Sequence, residues 1–352
     1  MQFHSYPEYI SFKEYQKNVE AYSNHLKNLK DVLGLFSMGS ISAPGLSDID
    51  LIVVVNNMIS HAPILSPFDL NLDHRLFTHD VFIVNLNLVN HFNYIFYPTN
   101  IKPIFVKNGF RISFPSLLSM SKELKLIYLI ELSKMRLDQL CAISRLRHCN
   151  VRKLITRVSS IIHSLNIAGE LSIKISDNVY AHRDFILSLR NNWTKNKGSS
   201  IQHVEKIFAD GLNAWCSILD AASHKLNQMG CIAHLEKLSN RKFMNLRFSD
   251  QNCCRLVKDQ HKCCQQVLLP KSLYYHYEGY KRPGKNKYRH EQNKRLYFIR
   301  AHRRFLRKAG LTYSMTGNAG IPINRMEKIS RTIRGLKIFI SSLTGPNVHK
   351  TI

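Results

Sequence analysis

The stretch Gly39-Ser40-Ile41-Ser42-Ala43-Pro44-Gly45-Leu46-Ser47-Asp48-Ile49-Asp50-Leu51, running on into Ile52-Val53-Val54-Val55, decides how this chain is read. Ahead of it, the apolar run from Val32 to Met38 ends at Gly39, as a buried strand does before a turn. Behind it, Ile49 to Val55 reads as a second strand, and its continuous apolar run from Leu51 suits a central position covered on both faces. Asp48 and Asp50 stand two apart, so at the start of a strand both side chains point to one face. Ile49 then points the other way, into a core.

Two carboxylates forced onto one face repel unless a divalent cation sits between them, and oxygen-only ligands select Mg2+ or Mn2+. The Gly39-Ser40 turn lets backbone approach a ligand and adds a hydroxyl. Exposed N–H groups at such a turn hold phosphate oxygens. These residues describe a site in which backbone and Ser40 grip a nucleoside triphosphate while paired metal ions bridge its phosphates.

Working outward, Phe12 to Lys30 reads as a polar helical lead-in. A third strand is expected from Val81 to Leu86, after a segment punctuated by Pro63 and Pro67, and Ile104 to Val106 adds an edge strand. After Pro115 the pattern turns helical. Val151, Leu154, Ile155, Val158, Ile161, Ile162 and Leu165 keep the spacing of one apolar helix face, with Gly169 as a stop. The spacing recurs at Val204, Ile207, Phe208, Leu212, Trp215, Ile218 and Leu219. The expected organisation is α+β: a small mixed sheet with helices over residues 1–115, a helical domain over 116–240, and a basic, mostly helical region over 241–352.

With 352 residues, 44% hydrophobic and 21% charged, the chain has ample material for a core. No apolar run approaches the roughly 18 residues of a membrane span, and Glu8 and Glu14 interrupt any signal-peptide layout, so the expected compartment is the cytoplasm. Eight cysteines, four scattered at Cys141, Cys149, Cys216 and Cys231 and four clustered between Cys253 and Cys264, without a secretory signal imply reduced thiols. The formal net charge of +26 points to polyanionic partners such as nucleic acid, nucleotides or an anionic surface. Beyond Arg241 lie roughly half of the 50 Lys and Arg but only about five of the 24 acids, with a linker around Lys281-Arg282-Pro283-Gly284-Lys285.

The pattern of Gly-Ser, a short loop and Asp-x-Asp entering an apolar strand resembles the nucleotidyltransferase superfamily related to DNA polymerase beta. Ser47-Asp48-Ile49-Asp50-Leu51 looks like the form seen in aminoglycoside and minimal nucleotidyltransferases, and the resemblance covers about residues 30 to 110. It implies a third carboxylate on a later strand, carried onto Asp80 before Val81-Phe82-Ile83-Val84, with Asp69 and Asp73 as rivals. It implies a nucleotide-binding role for Gly39, Ser40 and Ser47, and two Mg2+ ions, with Mn2+ as a substitute, held by Asp48, Asp50 and Asp80. The implied reaction transfers a nucleoside monophosphate, with AMP from ATP as the expected case, to a hydroxyl acceptor with release of pyrophosphate. Asp80 would also take the acceptor's proton. The competing reading is a catalytically inactive module of the same fold that binds nucleotide or RNA through its basic region.

Other features read more simply. Cys253-Cys254 and Cys263-Cys264, around His261, lack the usual gap within a zinc-ligand pair and are read as ordinary thiols. Tyr274-Tyr275-His276-Tyr277 is read as packing. Glu291 to Lys308 forms an amphipathic basic helix, with Arg300, Arg303, Arg304 and Arg307 crowded on it, Phe298, Ala301 and Phe305 opposite, and Gly310 as a stop. Either phosphate contact or a solvated face suits it. A last helix carrying Ile329, Ile333, Leu336, Ile340 and Leu343 is expected to dock on the body of the protein, an anionic membrane being the other option.

Overall fold

The computed structural model describes residues 2–57, 65–77, 79–97, 99–146, 148–193, 203–228 and 287–309. The cysteine pairs, the Tyr274-Tyr275-His276-Tyr277 run, the basic linker and the last expected helix lie outside them. The chain is α+β and divides into two compact units, one of Tyr9–Ser121 with Arg289–Leu336, the other of Met1–Glu8, Lys122–Tyr288 and Lys337–Ile352.

The first unit opens with helix α1 (Phe12–Lys27), capped by Ser11, whose side chain accepts from the Glu14 N–H. Strands β2 (Val32–Ser37), β3 (Leu51–Val55), β4 (Phe82–Asn85) and β5 (Lys102–Val106) follow, β1 (Gln2–His4) belonging to the other unit. They form one mixed sheet in the order β4-β3-β2-β5: β2 is antiparallel to both β3 and β5, and β3 is parallel to β4. All five residues of β3 are buried. Leu51, Val53 and Val55 pack on one face with Tyr15, Tyr22 and Leu26 of α1. Ile52 and Val54 pack on the other with Leu88 and Val89 of α2 (Leu86–Val89) and Phe92 and Ile95 of α3 (Phe92–Ile95). Each buried aliphatic side chain contributes roughly 1.5–3 kcal/mol, so the strand next to the Asp48–Asp50 segment is among the best-anchored parts of the unit.

A segment distant in sequence returns to this sheet. The basic helix, here α9 (Lys287–Lys308), carries buried Arg295, Ile299, His302, Phe305 and Leu306 on its inner side. Nε2 of His302 donates to the carbonyl oxygen of Ile83 in β4 over 2.7 Å, Arg295 donates to the carbonyl of Tyr94, and Phe298 stacks on His91 with ring centres 4.0 Å apart. Because β4 is the last strand in the sheet order, α9 occupies an edge that would otherwise present unpaired backbone groups.

In the second unit, β1 pairs in parallel with β6 (His148–Asn150) beside a helical group. That group comprises α4 (Lys122–Leu146), α5 (Val151–Ser159), α6 (Ile161–Glu170), α7 (Asp177–Asn192) and α8 (Val204–Gln228). The apolar face read as one helix is divided at Ser160 into α5 and α6. Hydroxyls account for the break: Ser159 donates to the carbonyls of Ile155 and Thr156, and Ser160 donates to that of Arg157, competing with the helical ladder. Gly211 of α8 lets α5 approach closely, since a Cβ there would meet Cγ2 of Val158 at 2.8 Å. No helix among the described residues is long and apolar enough to cross a membrane.

Candidate metal centre

Three side chains converge just ahead of the parallel strands β3 and β4. Asp48, Asp50 and His79 each offer a ligand atom, all within 4.8 Å of one another, and the group could hold a metal ion. Strand alternation explains the pairing of the carboxylates. Ile49 is 4% exposed and belongs to the α1-facing core cluster, so its two neighbours are turned the other way. The Ile49 N–H donates to the carbonyl of Leu76, which brings the approach to β4 alongside and delivers His79 to the aspartates.

Within the group, Nε2 of His79 lies 2.7 Å from Oδ1 of Asp50, while Nδ1 lies 2.7 Å from the backbone carbonyl of Asp80. A carbonyl only accepts, so Nδ1 carries a proton. The imidazole is therefore fixed in orientation with Nε2 directed at the aspartates. Burial disfavours its charged form, but the charge of Asp50, the hydrogen bond to it and the charge of Asp48 outweigh burial and raise the His79 pKa to about 9. The imidazolium thus neutralises part of the carboxylate charge. The donor set fits a divalent cation: two carboxylates suit a hard ion such as Mg2+, and the added imidazole nitrogen suits Mn2+ or a softer metal.

Gly39 lies next to this group. Its φ is +82°, a conformation glycine adopts without strain, and a Cβ built on it would lie 4.0 Å from Oδ2 of Asp50. The turn is pinned by the Gly39 N–H to Thr99 O, by Asn100 donating to Gly39 O, and by the Met38 N–H to Asp50 O. Ser40 is exposed beside it. The loop between the turn and the aspartates is braced from within. Oγ of Ser47 accepts from the Ala43 N–H, and the Tyr15 hydroxyl accepts from the Gly45 N–H and donates to the Ser47 carbonyl.

The residues singled out in the sequence therefore separate. Asp48, Asp50, Gly39 and Ser40 lie together. Ser47 is 2% exposed, with its hydroxyl engaged inside the loop, and acts as a brace. Asp80 accepts a hydrogen bond from Ser66, and its charge reaches Tyr22, whose hydroxyl pKa is raised first by burial and then by Asp80. The carboxylate of Asp80 is thus on the Ser66 and Tyr22 side, while its backbone carbonyl steadies His79. Asp73 is engaged with Arg75, and Asp69 lies in a short 3-10 turn. His79 is the residue the sequence reading missed. No local pattern marked it: the parallel register of β3 and β4, which sets Ile52 beside Phe82, brings the residues before Phe82 to the aspartate segment.

Comparison of the chain with protein-family models, with curated proteins and with solved structures finds no match.

Proposed function

We propose that this chain is a metal-dependent nucleotidyltransferase, moving a nucleoside monophosphate from a nucleoside triphosphate to a hydroxyl acceptor. The observation that carries the reading is the convergence of Asp48, Asp50 and His79 beside the left-handed turn at Gly39. The mixed sheet, with β3 antiparallel to β2 and parallel to β4, is the frame that holds these residues.

In this reading Asp48 and Asp50 hold Mg2+ or Mn2+, and His79 either joins as a nitrogen ligand or stays as a hydrogen-bond partner of Asp50. A bound divalent ion supplies charge stabilisation for the phosphate oxygens. The backbone at Gly39 and Ser40 holds the triphosphate tail. The acceptor hydroxyl oxygen forms a bond to the α-phosphorus, the bond from that phosphorus to the bridging oxygen breaks, and pyrophosphate leaves with the electron pair. The hydroxyl proton passes to a base; the resemblance gives that role to Asp80, whose carboxylate is engaged by Ser66 and would have to turn from it to reach the acceptor.

The decisive experiment incubates the full chain with labelled ATP and Mg2+ or Mn2+ in a cell extract that supplies acceptors. Pyrophosphate release and label transfer that vanish in Asp50→Ala support the reading. Nucleotide binding without turnover in either metal would replace it with the inactive binding module.

A further inference from the structure

We propose that the outward face of α9 is a docking surface for the phosphate backbone of single-stranded RNA. Tyr297, Arg300, Arg304, Arg307 and Lys308 are all exposed and follow one another at three- or four-residue steps, with Arg307 and Lys308 adjacent, so they share one side of the helix. From Tyr297 to Lys308 this side is about 16 Å long at about 1.5 Å per residue, long enough to meet several consecutive phosphates. Among the described residues none of these four cations forms an ion pair. The one acid in the helix, Glu291, is buried and already engaged by the Tyr94 hydroxyl and by Lys294.

Like charges one turn apart destabilise a helix, so the stripe opposes the helix that bears it. What offsets that cost is the inner face, with His302 on Ile83, Arg295 on Tyr94 and Phe305 and Leu306 in the core. A row of cations held rigid against its own repulsion is a surface for a linear polyanion. The same core cluster holds Ile49, between the two aspartates, and Phe77 and Val81, on either side of His79. The stripe is thus built into the compact unit that carries the metal centre.

Two features favour a single strand over a lipid surface. The large apolar side chains Ile299, Phe305 and Leu306 face inward, so among its described side chains the helix has no apolar face left to insert into a lipid surface. Among the helix side chains described, the large ring turned outward is Tyr297, 59% exposed and propped edge-on against Phe298 at 5.2 Å. A tyrosine amid arginines suits an unpaired base stacking between phosphate contacts, and unpaired bases are what proteins read in RNA.

The test measures binding of a fluorescein-labelled single-stranded RNA to the full chain, with chelator and without nucleotide, so that failure of nucleotidyl transfer leaves it unaffected. Against wild type stand the Arg300→Glu/Arg304→Glu/Arg307→Glu variant and its Gln counterpart, both checked for native circular dichroism, and Tyr297→Ala. Expected are a roughly tenfold or greater loss of affinity in the charge variants and a salt dependence shallower by about two in log–log slope, three phosphate contacts at about 0.7 each. Tyr297→Ala weakens binding with the slope unchanged. Affinity and slope unchanged in both charge variants would overturn the proposal. So would tighter binding to DNA of the same sequence, or to phosphatidylserine vesicles, lost in those same variants while RNA binding persists.

Discussion

Nε2 of His79 stands 2.7 Å from Oδ1 of Asp50, with Asp48 in the same group. This contact makes the histidine the natural counter-charge for two carboxylates that strand geometry forces together, and a ligand or close partner of any cation that replaces it. His79→Ala is expected to weaken Mn2+ binding by roughly ten- to hundredfold, as loss of a ligand or its orienting partner does. Calorimetric titration with Mn2+ checks this, and an unchanged affinity would remove His79 from the metal site.

The close approach of Gly39 to Asp50 leads to a second expectation. Gly39→Ala meets a left-handed φ of +82° and places a methyl about 4.0 Å from Oδ2 of Asp50. The backbone strain alone is ~1–2 kcal/mol. Thermal unfolding should move to lower temperature, and affinity for a non-hydrolysable ATP analogue should fall with it. Gly109→Ala serves as the control, because its φ of +85° brings the same strain with nothing near the added carbon. A loss of nucleotide affinity equal in both variants would place the phosphate grip elsewhere.

Asp80 is separable from the metal group by the same logic. Its carboxylate accepts from Ser66, and its backbone carbonyl accepts from His79. Asp80→Asn is expected to leave Mn2+ affinity within about threefold of wild type while turnover falls by about a hundredfold or more, the range for loss of a general base. Titration calorimetry together with single-turnover label transfer distinguishes the roles. A metal-affinity loss as large as that of Asp50→Asn would make Asp80 a ligand.

The strands were legible because their signal is local. The runs Val32 to Met38, Ile49 to Val55 and Val81 to Leu86 appear as β2, β3 and β4 with ends moved by one or two residues, and Ile104 to Val106 is part of the edge strand β5. The convergence of Asp48 and Asp50 was legible for the same reason, since alternation about Ile49 is a property of three consecutive residues. His79 was not legible because the approach to β4 departs from alternation. Phe82, three residues on, meets the His79 ring at 5.5 Å, while Val81 and Ile83 turn into the opposite cluster. The hydroxyl of Ser47 gave no sign that a loop contact with Ala43 would engage it. The basic helix announced its apolar face but not its partner, because His302 and Ile83 are 219 residues apart in sequence.

That long-range contact yields a pH prediction. His302 is buried, and burial, reinforced by the charge of Arg303, lowers its pKa to about 4 against the favourable bond to Ile83. The lowered pKa keeps the native imidazole neutral, and because the carbonyl of Ile83 accepts from Nε2, its proton sits on that nitrogen. Between the ordinary value of 6.5 and about 4 the unfolded chain takes up a proton that the native protein refuses, so stability is full above pH 6.5 and declines as pH falls through that window. The decline is at most about 3 kcal/mol from this residue. Burial lowers His163 and His182 as well, which adds acid sensitivity in the same direction. Thermal melts from neutral pH to pH 5 should show a falling midpoint in the wild type. His302→Gln, which can still donate to Ile83 but does not titrate, should melt lower at neutral pH and fall less steeply on acidification. Parallel pH profiles for the two proteins would mean that the imidazole is not held neutral against β4, and that α9 grips the sheet edge by other contacts.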